Sequence, residues 1–76
     1  MRELIESIAR LLVEHPNEIR LTELIGKQTV VYELRCHAGD VGKVIGKGGK
    51  TIAAVRAIVS SVAQKNGKRA VVEVVE

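Results

Sequence analysis

Val44-Ile45-Gly46-Lys47-Gly48-Gly49-Lys50-Thr51-Ile52 decides how the whole chain is read. Three of the four residues from Gly46 to Gly49 are glycine, and a helix does not continue cheaply through such a run. Before it, Val41, Val44 and Ile45 are spaced as the inward side of a short helix over 41–45 that Asp40 can cap. After it, Lys50 to about Asn66 reads as a longer helix burying Ile52, Val55, Ile58, Val59 and Val62. The glycines therefore form a very short turn between two helices. Such a turn lets a phosphodiester backbone approach the main chain with no Cβ in the way. The start of the second helix adds unpaired N–H groups and a partial positive charge. Lys43, Lys47 and Lys50 surround that point, and no acid lies within the stretch from Val41 to Val72.

Two nucleotide-binding motifs are excluded by counting. A Walker A loop needs glycine five residues before its Gly-Lys-Thr, and that position is Val44. A dinucleotide fingerprint begun at Gly46 and Gly48 needs a third glycine where Thr51 stands. Both also require a strand before the loop. No acid able to hold Mg²⁺ lies between Val41 and Val72, so nucleotide hydrolysis has no support.

Working outward, Gly67 is placed to cap the long helix, and Arg69 to Val75 reads as a strand with Ala70, Val72 and Val74 on one face. Toward the N-terminus, Thr29 to about His37 is a strand with Val30, Tyr32, Leu34 and Cys36 on one side. Ile19 to Ile25 is another, joined to it through Gly26-Lys27-Gln28, where glycine would supply positive φ, and the pair suggests an antiparallel hairpin. Arg2 to Glu14 is an amphipathic helix with Leu4, Ile5, Ile8, Leu11 and Leu12 on its apolar side, stopped by Pro16. The order is αββααβ. That predicts an α+β fold with three helices on one face of a three-stranded mixed sheet, because neither layer can bury its apolar face alone.

Seventy-six residues, 46% apolar and 28% charged, suit one small globular domain over 1–76. The longest apolar run is Ile52 to Val55, far short of the ~20 residues that span a bilayer. Early acids at Glu3, Glu6 and Glu14 argue against a secretory signal, and a lone Cys36 suits a reducing compartment, so the expected location is the cytoplasm. With no Phe or Trp and one Tyr, base stacking on a platform of rings is excluded. Any nucleic-acid binding must use backbone, charge and aliphatic surface. The charge is segregated: Met1 to Asp40 has five bases against seven acids, whereas Val41 to Val72 has seven bases and no acid. A stretch of one sign suits a polyanion, although bases on helices also serve only to solvate them.

With these residues in view, Val44 to Ile52 resembles the VIGxxGxxI signature of the KH domain, with every defining position filled. The αββααβ order is similar to the type II, bacterial arrangement, with the shared core over about 29–75. The resemblance runs from Arg2 to Val75 and is to the small stand-alone bacterial KH proteins of the KhpA family. It implies that the loop Gly46 to Gly49 clamps the backbone of about four nucleotides of single-stranded RNA. It implies an aliphatic groove at Val41, Val44, Ile45 and Ile52, with Val41 and Val44 meeting bases and Ile45 and Ile52 packing inward. It also implies a dimer, alone or with a larger KH protein of the KhpB or Jag type.

Other residues keep two readings. Arg56 is either a solvated residue or a phosphate contact, and Lys65, Lys68 and Arg69 read as solvated. Cys36 reads as a small core residue, and His15 and His37 lack the spaced partners of a zinc site. Two histidines give no triad, so no enzyme and no cofactor is expected. A helical wheel turns Ala53, Ala54, Ala57, Ser60, Ser61 and Gln64 outward, a small and nearly uncharged face suited to a second helix, or merely to helix propensity. A protein–protein adaptor and a single-stranded DNA binder stand as the alternatives to RNA binding.

Overall fold

The computed structural model describes residues 1–75; Glu76, the last residue of the expected domain, lies outside them. The elements follow the expected order: α1 (Arg2–Leu12), β1 (Arg20–Ile25), β2 (Thr29–Arg35), α2 (Val41–Ile45), α3 (Lys50–Lys65) and β3 (Arg69–Val75), with single 3₁₀ turns at Pro16–Glu18, Ala38–Asp40 and Lys47–Gly49. β1 and β2 pair antiparallel, with Leu21 opposite Leu34, and β2 and β3 pair parallel, with Tyr32 opposite Val72. A parallel pair needs a long crossover, and α2, the glycine turn and α3 supply it. The result is a three-stranded mixed sheet in the order β1-β2-β3.

The side chains of Leu21, Val30, Tyr32, Leu34 and Val72 share one face of the sheet and meet Ile5, Ala9, Val44, Ile52, Val55 and Val59 from the helices. Ile5 and Val59 are each 1% exposed, and burying a side chain of that size contributes about 1.5–3 kcal/mol.

Several expected positions move by a fraction of a turn. α1 ends at Leu12, and its buried stripe is Ile5 and Ala9, with Leu4 and Leu11 exposed. Leu4 and Leu11, seven residues apart, share one side of the helix roughly 100° or more from that line, and so fall outside the contact. On α3 the buried stripe is Ile52, Val55, Val59 and Ala63, whereas Ile58 and Val62, expected inward, are exposed. Ile58 and Val62 each come one residue before a buried position, Val59 and Ala63, and so stand about 100° round the helix from it. β2 ends at Arg35, before Cys36 and His37.

The β1–β2 turn does not need positive φ at Gly26. Its N–H donates to the Thr29 carbonyl at 2.8 Å, and a Cβ at Gly26 would stand 3.0 Å from that oxygen. Closeness, not handedness, asks for glycine there. Gly67 is the expected helix cap: at φ +69° it donates to Gln64, and Lys68 donates to Ala63 at 2.9 Å, closing a Schellman motif. Among the described residues no helix is long and apolar enough to cross a membrane.

Candidate nucleic-acid interface

The three loop glycines do different work. Gly46 ends α2 at φ +79°, ψ 169°, a region open essentially to glycine alone. A Cβ there would strike the Thr51 side chain and stand 2.9 Å from the Thr51 backbone nitrogen. Gly46 is therefore demanded by the fold. Gly48 (φ 63°, ψ 19°) and Gly49 (φ 75°, ψ 13°) are left-handed, and a Cβ at either meets nothing within 4 Å. These two leave bare, outward-facing main chain. Two loop amides are spent inside the turn, Gly49 donating to Gly46 and Lys50 to Lys47, so fewer N–H groups face outward than the sequence suggests.

Lys47 and Lys50 are exposed, and among the described residues neither has an acidic partner. Lys43 differs. Its Nζ lies 3.6 Å from Glu14 and 4.0 Å from Asp40, so acids do stand beside this lysine and offset its charge.

Asp40 precedes α2 but makes no side-chain capping bond to it. Asp40 is 1% exposed, and its carboxylate instead accepts the His15 N–H at 3.0 Å, with His15 Nδ1 also at 3.0 Å. The His15 and His37 rings stack at 3.9 Å, and His37 Nδ1 accepts the Gly39 N–H. His15, His37 and Asp40 thus come together within 4.8 Å, a cluster the linear spacing does not disclose. The Nδ1 atoms of both histidines are already engaged, and parallel stacked rings do not converge on one ion. The cluster clamps the α1–β1 connection to the start of α2. Cys36 is half-buried, and burial followed by the charge of Asp40 pushes its thiol up, which suits an inert side chain.

Burial alone would raise the Asp40 carboxyl, but the hydrogen bonds from the His15 ring and from the His15 and Glu14 backbones, with the His15 charge, outweigh it and hold the group below its usual range. A carboxyl depressed in the folded state stabilises above its unfolded pKa of about 3.9, and that stability is lost as pH falls through the lower folded value. Asp40→Asn should therefore lower the urea midpoint at pH 7 and narrow the gap between pH 7 and pH 3. Equal gaps in native and variant chains would contradict this role.

Past the loop, a cleft of about 500 Å³ opens between α3 and the outer side of β3. Arg56, Ser60 and Gln64 line it from α3, and Lys68, Arg69 and the Ala70–Val72 segment from β3. Arg56 Nε donates to the Val72 carbonyl at 3.1 Å across it. Lys68 and Arg69, read as solvated, belong to this wall; the chain reversal at Gly67, which returns them beside Gln64, is the signal that could have found them. Ser60 and Gln64 turn toward the cleft rather than the outer face. Ala53, Ala54, Ala57 and Ser61 stay exposed there, joined by Ile58 and Val62. Nearer the loop, Val44 and Ile45 exchange expected places: Val44 is 2% exposed in the core, Ile45 is 37% exposed, and Val41 is half-buried. Ile52 packs inward as expected.

A glycine turn joining two helices, inserted between parallel strands of an αββααβ sheet, defines a type II KH domain. The family model for the KH domain of KhpA and KhpB matches residues 2–74. The chain is 41% identical over 75 residues to the RNA-binding protein KhpA of Clostridium acetobutylicum, covering 99% of this chain and all of that one. It is 42% identical over 76 residues to the RNA-binding protein KhpA of Chlamydia pneumoniae and 41% to that of Aquifex aeolicus, covering 97% and 96% of those chains and all of this one. No solved structure gives a significant match. The chain belongs to the KhpA/KhpB KH-domain family.

Proposed function

We propose that this chain binds single-stranded RNA as one KH domain over 1–76, without catalysis, in post-transcriptional control or as an RNA chaperone in the cytoplasm. The loop Gly46 to Gly49 holds the phosphate backbone of about four nucleotides. Lys47 and Lys50 supply the attraction, and bases lie over Ile45, Val41 and the cleft beside Arg56. The observation that carries this reading is the bare main chain at Gly48 and Gly49, where nothing stands within 4 Å of a Cβ position, between two exposed lysines that have no acidic partner among the described residues. A protein adaptor needs neither. RNA-binding relatives that match nearly end to end support RNA as the ligand.

The test is fluorescence anisotropy of a labelled eight-nucleotide single strand against a blunt RNA hairpin of equal charge. Preference for the single strand is expected, with log K falling by about 0.7 per log salt for each of a few phosphates contacted. Equal affinity for the hairpin would leave only a basic surface.

The outer face of α3 supports dimerisation. Ile58 and Val62 are 48% and 37% exposed among Ala53, Ala54, Ala57 and Ser61, so the face is apolar and low enough for a second helix. A second copy, or a larger KH chain of the KhpB or Jag type, would align two grooves on one RNA and raise affinity by effective concentration. Ala57→Glu should sediment as a monomer where the native chain sediments as a dimer; an unchanged profile would reject this face.

A further inference from the structure

β2 ends at Arg35, and the chain reaches α2 through His37 and the 3₁₀ turn Ala38–Asp40. His37 closes that turn twice. Its backbone carbonyl accepts the Asp40 N–H at 2.8 Å, and its ring Nδ1 accepts the Gly39 N–H at 3.0 Å. The ring lies tight on the turn, since a Cβ at Gly39 would stand 3.2 Å from Nδ1. Asp40, carried inward by the turn, is held by His15 and is followed directly by α2. Gly46 stands only about 9 Å beyond Asp40 along that helix, so the turn aims the glycine loop.

An imidazole nitrogen accepts a hydrogen bond only while it carries no proton, and imidazolium has N–H on both nitrogens. The Gly39 bond and a proton on His37 Nδ1 therefore exclude each other. His15 differs, because its Nδ1 faces a carboxylate and donates to it in either state. With the rings stacked at 3.9 Å, charge on His15 also opposes charge on His37. Among the described residues, the other titratable and charged groups around the stack are Glu14, Arg35, Cys36, Asp40 and Lys43. Of these side-chain types, only imidazole ordinarily changes charge between pH 5 and 8. Burial, outweighed by the bonds from His15 and Glu14, leaves Asp40 below its usual range, and burial pushes the Cys36 thiol up, so neither titrates there.

We propose that His37 is a positioning residue for the glycine loop: its neutral ring holds the turn that aims α2, and its protonation weakens RNA binding. This rests on the single-stranded RNA reading above and adds to it a pH sensitivity of the same site. The direction opposes that of charge alone, since added imidazolium charge attracts phosphate. One group of ordinary pKa ~6.5 shifts a two-state equilibrium by at most about thirtyfold at pH 5.0.

The test is anisotropy of the labelled eight-nucleotide strand at pH 7.5 and pH 5.0, at constant salt, with the native chain, His37→Asn and His37→Phe. Asparagine offers the Gly39 N–H a side-chain oxygen that does not titrate, and phenylalanine keeps a ring against His15 but accepts nothing. Circular dichroism checks that each chain is folded at each pH. The native affinity should fall roughly three- to thirtyfold between the two values. His37→Asn should match the native chain at pH 7.5 and hold its affinity at pH 5.0. His37→Phe should bind weakly at both. Native affinity that stays level or rises at pH 5.0 would overturn the assignment, as would an equal fall in His37→Asn. A folded His37→Phe chain that binds like the native one at pH 7.5 would do the same. The native and Asn chains decide the matter if the Phe chain does not fold. If the native chain binds at neither pH, the RNA reading falls and this assignment with it.

Discussion

Gly46→Ala should unfold much of the population at physiological temperature, while Gly48→Ala, two residues on, should cost little. At Gly46 two penalties add. The backbone sits at φ +79°, ψ 169°, which costs an L-residue about 1–3 kcal/mol. The new methyl would also meet the Thr51 side chain and stand 2.9 Å from the Thr51 backbone nitrogen, and forcing such overlap into a packed site costs about 1–3 kcal/mol more. Backbone cannot swing aside as a side-chain tip does. A total near 4 kcal/mol is a large part of the ~5–15 kcal/mol that holds a domain together. In a chain of this size each kcal/mol moves Tm by about 4–8 °C, so a fall of more than ~15 °C is expected by circular dichroism. At Gly48 the methyl meets nothing within 4 Å and only the left-handed backbone cost of about 1–2 kcal/mol remains. Similar melting temperatures for the two variants would contradict this division of labour within the loop.

Charge reversal at the loop should do the opposite, leaving the fold and removing binding. Lys47→Asp with Gly48→Asp turns one positive and one neutral position into two negative ones on the surface proposed to meet phosphate. Aspartate is among the few residues that visit the left-handed region, and the space around Gly48 is open, so the double variant should fold. A like charge set against a bound phosphate costs several kcal/mol, and each 1.4 kcal/mol is tenfold in affinity. A loss of roughly a hundredfold is the expected result, with the melting temperature within ~10 °C of the native chain.

The glycine run made the fold legible, because it marks a helix–turn–helix connection between β2 and β3 long enough to return the chain for a parallel pair. Element order, the α3 cap at Gly67 and the core face of β2 follow from local pattern and hold. Phase does not follow from pattern where an element is short or apolar on several sides. A five-residue helix has little more than one turn, so nothing local says that Val44 rather than Ile45 goes inward. On α3, Ile58 and Val62 outweigh Ala63 in hydropathy, yet Ala63 is the residue the sheet covers. Long-range pairs were beyond the sequence altogether. Asp40 bonds to His15, Lys43 to Glu14 and Arg56 to Val72, and each partner is brought in by the tertiary fold. Of the proposed site, the contiguous loop Gly46 to Lys50 is readable directly, and the cleft wall formed by Lys68 and Arg69 only through the chain reversal at Gly67.

The most direct test of the loop as the RNA site is an anisotropy titration of one short labelled single-stranded RNA at two salt concentrations. It compares the native chain with the folded Lys47→Asp, Gly48→Asp variant. Salt-sensitive binding by the native chain and its loss in the variant is the result this account predicts. Equal binding by the two folded chains would contradict it, leaving the basic stretch as a nonspecific surface and the adaptor reading in first place.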